Sequence, residues 1–252
     1  MTPVTSPRSP RLLAAGFALL LAGCASAPVP PGISDSPWAI QSGTAASDAG
    51  PWTHKPLPGK AATRFQYERH LGRDAVAVQA DASASLLRQS LRIEPQQLGQ
   101  VRFSWKVSAL IAGADLASRD KADAPVRIVL AFEGDRSRFS PRDAALSELV
   151  RALTGEEMPY ATLMYVWCNQ RAPGTVIRNT RTDRIRKLVV ESGPGSLNRW
   201  LDYERDIRAD YERAFGEPPG ALVGVALMTD TDNTQSLAEA WYGPVRFLPA
   251  SR

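Results

Sequence analysis

Val101-Arg102-Phe103-Ser104-Trp105-Lys106-Val107 places an apolar residue at every second position, with Arg, Ser and Lys between them. Successive side chains of a strand point to opposite faces, so a period of two describes a strand with one buried and one solvated face. The same period recurs downstream. In Val126-Arg127-Ile128-Val129-Leu130-Ala131-Phe132 one face is Val126, Ile128, Leu130 and Phe132, and the other is smaller but still apolar. Residues 163–168 are apolar on both faces, as a central strand would be. Residues 185–191 and 222–228 and the closing Ala240-Trp241-Tyr242-Gly243-Pro244-Val245-Arg246-Phe247 read as further strands. Residues 63–68, 75–80 and 86–93 are weaker candidates.

Two segments break the pattern with helical spacing. Ser140-Pro141 is a start signal, with Ser as N-cap and Pro at the first helical position. Leu146, Leu149, Val150 and Leu153 follow, and Gly155 marks the end. A second helix is predicted over 197–215, with Trp200, Tyr203, Ile207, Tyr211 and Phe215 on one stripe and Gly216 with Pro218-Pro219 as its stop. Helices this few cannot supply the crossovers of a parallel sheet. The predicted fold is mainly β, a jelly-roll-like antiparallel β-sandwich with two helical insertions.

The N-terminus has a different character. Arg8 and Arg11 precede the apolar run Leu12-Leu13-Ala14-Ala15-Gly16-Phe17-Ala18-Leu19-Leu20-Leu21. Spanning a bilayer takes about 20 apolar residues, so this run has the length of a signal-peptide core instead. It ends in Leu21-Ala22-Gly23-Cys24, which resembles the bacterial lipobox. That resemblance implies cleavage before Cys24, acyl chains on Cys24 and anchoring in a membrane. Ala25 and Ser26 follow without an Asp, which by the same resemblance favours the outer membrane, with the protein facing the periplasm. Residues 1–23 are then a signal peptide, and 24–60, rich in Pro, Gly, Ser and Ala, a flexible tether. Residues 61–252 form one β-sandwich domain. Trp38 and Trp52 lie in or near the tether and could pack back onto the domain. Cys168, the only other cysteine, sits in Tyr165-Val166-Trp167-Cys168 and reads as a free, buried core thiol.

The net charge is +4, with basic and acidic residues interspersed. That is a solvated surface, and nucleic-acid binding is not expected. The chain has only His54 and His70, and lacks HExxH, GxSxG and a Gly-rich phosphate loop. A zinc hydrolase or serine esterase is therefore disfavoured. A glycosidase needs only two carboxylates. Glu133, Glu191 and Asp206 are available, but nothing in the sequence pairs them.

Several segments together resemble one bacterial family, the domain of unknown function DUF3047. They are Phe103-Ser104-Trp105-Lys106-Val107, Ala114-Asp115, Asp123-Ala124-Pro125, Pro159-Tyr160-Ala161-Thr162-Leu163-Met164-Tyr165-Val166-Trp167, Val189-Val190-Glu191-Ser192-Gly193, Asp210-Tyr211, Phe215-Gly216 and Val225-Ala226-Leu227-Met228-Thr229-Asp230-Thr231-Asp232-Asn233-Thr234. The resemblance covers residues 64–247. It implies an envelope protein with a sandwich similar to carbohydrate-binding modules, and assigns no activity. It also implies an acidic pair before the strand that starts near Val126. Here Asp123 is present and Ala122 stands where its partner would be. Asp115 and Asp123 are thus candidate ligand-binding residues.

Asp230, Asp232 and Asn233 are candidate ligands for a Ca²⁺ ion, since oxygen donors suit it. The competing reading is a turn whose Asp, Asn and Thr side chains bond their own backbone. Trp241 and Tyr242, beside a turn, are the candidate exposed aromatic pair for stacking on a sugar. The function expected from all this is a non-catalytic, lipid-anchored module that binds a glycan or another envelope component. A carbohydrate-active hydrolase or lyase on the same fold, and a structural or assembly lipoprotein, are the alternatives.

Overall fold

The structure is a computed structural model and describes residues 32–44 and 49–250. The apolar run Leu12–Leu21 and Cys24 lie outside the described residues. Two seven-stranded sheets face each other. The first contains β1 (Gly43–Thr44), β3 (Arg64–His70), β4 (Arg73–Asp81), β6 (Leu98–Val107), β11 (Leu201–Asp206), β13 (Leu237–Tyr242) and β14 (Arg246–Pro249). Its order is β1-β14-β6-β13-β4-β3, with β11 on the other side of β6. The second contains β2 (Thr53–Pro56), β5 (Ser85–Ile93), β7 (Ala124–Phe132), β8 (Ala161–Cys168), β9 (Val176–Arg178), β10 (Ile185–Ser192) and β12 (Leu222–Asp230). Its order is β2-β5-β12-β7-β8-β10-β9. The chain is mainly β and forms the expected sandwich. Pairing is antiparallel except for β8 with β10 and β1 with β14.

The apolar residues face inward as their period predicts, but on the opposite face Ser104 and Lys106 are buried too. Val101, Phe103, Trp105 and Val107 of β6 meet Val126, Ile128, Leu130 and Phe132 of β7 in one core. Phe103 stacks on Tyr165 of β8 at 5.5 Å between ring centroids, which ties the two sheets together through aromatic contact. Arg102, exposed, points the other way from the same strand. Cys168 is free and buried.

Three helices are described: α1 (Pro37–Gln41), α2 (Pro141–Thr154) and α3 (Ile207–Phe215). The Ser140 side chain caps α2 by accepting from the Asp143 amide, and Gly155 ends it in the left-handed conformation. Its orientation differs from the expectation. Leu149 and Leu153 are exposed, while Asp143 and Ser147 are buried. Hydrogen bonds turn it that way: Asp143 accepts from Thr182 and Ser147 bonds Arg136.

The helix predicted over 197–215 is in fact a strand followed by a helix. β11 pairs with β6 in antiparallel register, and Asp206 caps α3 by accepting from the Ala209 amide at 2.9 Å. Tyr203 and Ile207 fit both periods. In the structure Tyr203 stacks on Phe103 at 5.3 Å, a cross-strand contact that helix could not make.

Residues expected to form the tether contribute to the sandwich. Trp38 of α1 is fully buried and packs edge-on against Trp52, with centroids 4.8 Å apart. β2 pairs with β5. Burying two indoles outweighs the loop-like composition around them. Trp38→Ala should therefore lower unfolding stability by about 3–5 kcal/mol, the usual cost of emptying a large aromatic site. Urea unfolding of the two proteins checks this; an unchanged midpoint would show that the segment before Ala61 is not part of the folded unit.

Candidate functional site

Asp123, Asp230 and Asp232 converge. One carboxylate oxygen from each lies within 4.8 Å of the others. Strand ends bring them together: Asp230 closes β12, Asp123 precedes β7, and these two strands are neighbours. Each carboxylate already has partners. Asp230 is gripped by Arg127, whose Nη2 reaches both oxygens at 2.8 Å and whose Nε reaches one at 3.1 Å. The Ala124 amide adds a bond at 3.0 Å. Burial pushes the Asp230 carboxyl up, and Arg127 opposes that shift. Asp123 accepts from the Asn233 amide at 3.3 Å and from the amide and hydroxyl of Thr234, both at 2.7 Å. Lys60 pairs with Asp232.

The positive charge that this acidic cluster needs is thus supplied by Arg127 and Lys60. The hydrogen bonds it makes fasten the β12–β13 loop to the segment before β7. Asn233 takes part through its backbone amide. A Ca²⁺ ion held by Asp230, Asp232 and Asn233 would have to share Asp230 with Arg127 and displace Lys60.

Asp115 stands apart from the trio. It pairs with Arg171 and accepts from the Ala117 amide, and both bonds hold its carboxyl below the ordinary range, Arg171 most of all. Behind it lies Lys187 of β10, only 3% exposed. Its Nζ donates to the Leu116 carbonyl at 2.7 Å, which ties β10 to the loop that carries Asp115. Burial pushes the Lys187 ammonium down to about 7, and the Arg127 charge adds to the shift.

Trp241 and Tyr242 are not an exposed pair. Trp241 is 8% exposed and Tyr242 fully buried. Their strand, β13, lies between β4 and β6, so no open edge is left. Tyr242 points into the sandwich, where its hydroxyl donates to the Met228 carbonyl at 2.7 Å and accepts from the Arg127 amide at 3.1 Å. Trp241 is covered by its neighbours. His70 stacks on it at 4.1 Å, Lys106 Nζ lies 4.1 Å from its ring centre, and its Nε1 donates to Glu68 at 2.8 Å. A sugar could not stack on the indole face that His70 covers while His70 stays in place.

An open groove lies elsewhere. It has a volume of about 660 Å³ and crosses one end of the second sheet. Ser90 of β5, Gly224 of β12 and Ala131 of β7 line it with small side chains. Arg88, Arg92, Arg136, Glu94, Glu133 and Glu157 supply its charge. The carboxylates are paired: Glu94 with Arg92 at 2.6 Å, Glu133 with Arg92 at 3.0 Å, and Glu157 with Arg136 at 3.1 Å. Tyr160 closes one side, stacked on Phe139 and pressed against Gly134, where an added Cβ would come within 2.1 Å of the ring.

Sequence reading pointed to only one member of this groove, Glu133. Glu191 and Asp206 do not line it: Glu191 accepts from the Tyr203 hydroxyl at 2.8 Å, and Asp206 caps α3. The groove draws on separate segments joined by strand pairing. The one signal in the chain is the small residues, Ala131 and Gly224, placed in otherwise bulky strands.

Residues 50–246 match a protein family described as "Protein of unknown function (DUF3047)". No curated protein matches the chain. Among solved structures, the xyloglucanase domain of NopAA, a type three effector from Sinorhizobium fredii in complex with cellobiose, superposes with a TM-score of 0.41 at 8% identity, covering 81% of this chain and 95% of that one. Endo-1,4-beta-glucanase CelB2 gives 0.40 at 11% identity, over 79% of this chain and 97% of that one. Likenesses this slight do not bear on the activity of the chain.

Lys187 makes the packing around Asp115 sensitive to pH. Its pKa is lower folded than unfolded, so between about 7 and the ordinary 10.5 the unfolded chain binds more protons. Stability should therefore rise as pH increases from 7 to 9.5 and stay flat, as far as this group is concerned, below 7. The buried tyrosines, pushed up by burial, act oppositely only above about 10. Lys187→Met should abolish the rise. Urea titrations at pH 7 and 9.5 measure it, and an equal rise in the variant would assign the effect to another group.

Proposed function

The chain belongs to the DUF3047 family, and from that footing we propose that it is a lipid-anchored envelope protein whose sandwich binds a glycan without cleaving it. The observation that carries the binding reading is the groove over β5, β12 and β7. Its volume, about 660 Å³, suits several sugar units. Its small-residue lining gives an extended ligand close access to the sheet. Its arginines and carboxylates offer donors and acceptors for sugar hydroxyls, already held in place by each other.

The ion pairs favour binding over hydrolysis. A glycosidase needs one carboxyl that keeps its proton near neutrality and a second that acts opposite it. Glu94, Glu133 and Glu157 are each engaged by a guanidinium, so none stands as a free carboxyl opposite a second one. Aromatic stacking has a lesser part in this reading, since Trp241 is covered by His70.

The anchoring reading is supported by Leu21-Ala22-Gly23-Cys24 and the apolar run before it. Acyl chains on Cys24 would hold the protein in a membrane, and Ala25-Ser26 favours the outer one with the domain in the periplasm.

Two outcomes are expected. The mature protein should carry acyl chains on Cys24 by mass spectrometry, and Cys24→Ser should lose them and leave the membrane fraction. In pull-downs with insoluble envelope polysaccharide and calorimetry with soluble fragments, the protein should bind and release no new reducing ends. Ser90→Trp, which fills the groove from an exposed position, should weaken binding at least about tenfold, or roughly 1.4 kcal/mol. Binding that survives this substitution would place the ligand elsewhere, and product release would make the protein an enzyme.

A further inference from the structure

The β3–β4 turn is built against the rules for its type. His70 pairs with Arg73, so Leu71 and Gly72 alone make the turn, with φ of 49° and 80°. Both residues are left-handed, the geometry of a turn that takes Asn-Gly or Asp-Gly. A leucine there carries backbone strain. It is also 71% exposed, so its side chain gains nothing from burial in this domain. Strain and apolar exposure on one residue indicate that its stabilising contacts lie outside the domain.

A second exposed aliphatic residue stands near the same end. Ile40 of α1 is 79% exposed. Its neighbour Gln41 donates to Asp74, at the start of β4, at 2.7 Å. Arg246 bonds the Gln41 carbonyl at 2.9 Å, and Arg69, next to the turn, is exposed. This end of the sandwich therefore combines two unburied aliphatic side chains with Arg69 and Arg246, which can meet anionic headgroups, while Arg73 is already paired with Asp202.

The position of the anchor says which surface it meets. α1 begins five residues after Gly32, the first described residue, and Gly32 follows Cys24 by eight. Eight residues reach at most about 28 Å. If Cys24 is held at a bilayer, α1 and the turn beside it are held close to it. We propose that Leu71 and Ile40 enter the leaflet that carries the anchor, so that the sandwich docks on the membrane by its β3–β4 end rather than swinging freely. This rests on the anchoring reading given above.

The test uses the mature, acylated protein in vesicles of phosphatidylethanolamine and phosphatidylglycerol with brominated acyl chains. A polarity-sensitive fluorophore is placed on Leu71→Cys and, as control, on Leu237→Cys. Leu237 is also exposed but pairs with Asp81, at the other end of β4, about 26 Å from Arg73 by strand rise. Cys168 is buried and stays unlabelled. The Leu71 probe should shift to the blue and be quenched roughly twofold, as for a group about 5–10 Å into the headgroup boundary. The Leu237 probe should do neither.

A further variant, Leu71→Asn, suits the turn and should raise the Tm while abolishing quenching of a probe on Ile40→Cys. An acylated, vesicle-bound protein whose Leu71 probe stays unquenched overturns the docking alone. A protein without acyl chains overturns the anchoring as well. A blue shift that grows with protein concentration in detergent, without vesicles, would assign the face to a second copy and also overturn the proposal.

Discussion

Arg127 and Asp230 form the buried contact that fixes the start of β7 against the end of β12. They are buried on adjacent strands, β7 and β12, and the guanidinium meets both carboxylate oxygens. A buried pair is no guarantee of stability, because both charges lose their water. What it does here is fix positions. Through Asp230 it holds the Ala124 amide, and Arg127 also bonds the Ala122 carbonyl, so the start of β7 has one available place. Asp123 then follows in register and ties down the β12–β13 loop. At the far end, the same two strands supply Ala131 and Gly224 to the groove. The acidic cluster whose members Asp230 and Asp232 read in sequence as candidate metal ligands also, in the fold, sets the start of β7 and the β12–β13 loop in place, a clasp beside strands that line the groove.

The strands were legible because their period is simple and their environment consistent. Phe103 and Trp105 face in and Arg102 faces out, as alternation requires. Legibility failed where one pattern served two structures. Tyr203 and Ile207 satisfy helical spacing and also a strand followed by a helix, and only the aromatic contact with Phe103 decides between them. It failed again at α2, where specific hydrogen bonds from Asp143 and Ser147 turned the polar side inward and left Leu149 and Leu153 in solvent. It failed at Trp241, because the residues that cover it, His70 and Lys106, lie on other strands.

The groove could not be read from the chain for a similar reason. Its residues are ordinary one by one: an arginine on β5, a glutamate after β7, a glycine in β12. Strand order alone makes them neighbours. Asp230, Asp232 and Asn233 stood out because they are neighbours in sequence, whereas Asp123 joins them only through the pairing of β7 with β12. Both the clasp and the groove use arginine–carboxylate pairs, but the first is buried and positions strands, while the second is open to solvent, where, on the reading proposed above, it would offer hydrogen bonds to a ligand.

The central claim is that the ligand lies across β5, β12 and β7. Hydrogen exchange of the mature protein, with and without a saturating soluble envelope oligosaccharide, tests it most directly. The account expects added protection at residues 88–94, 131–136 and 220–224, and none around His70 and Trp241. Protection confined to His70 and Trp241, or none anywhere in the sandwich, would contradict it.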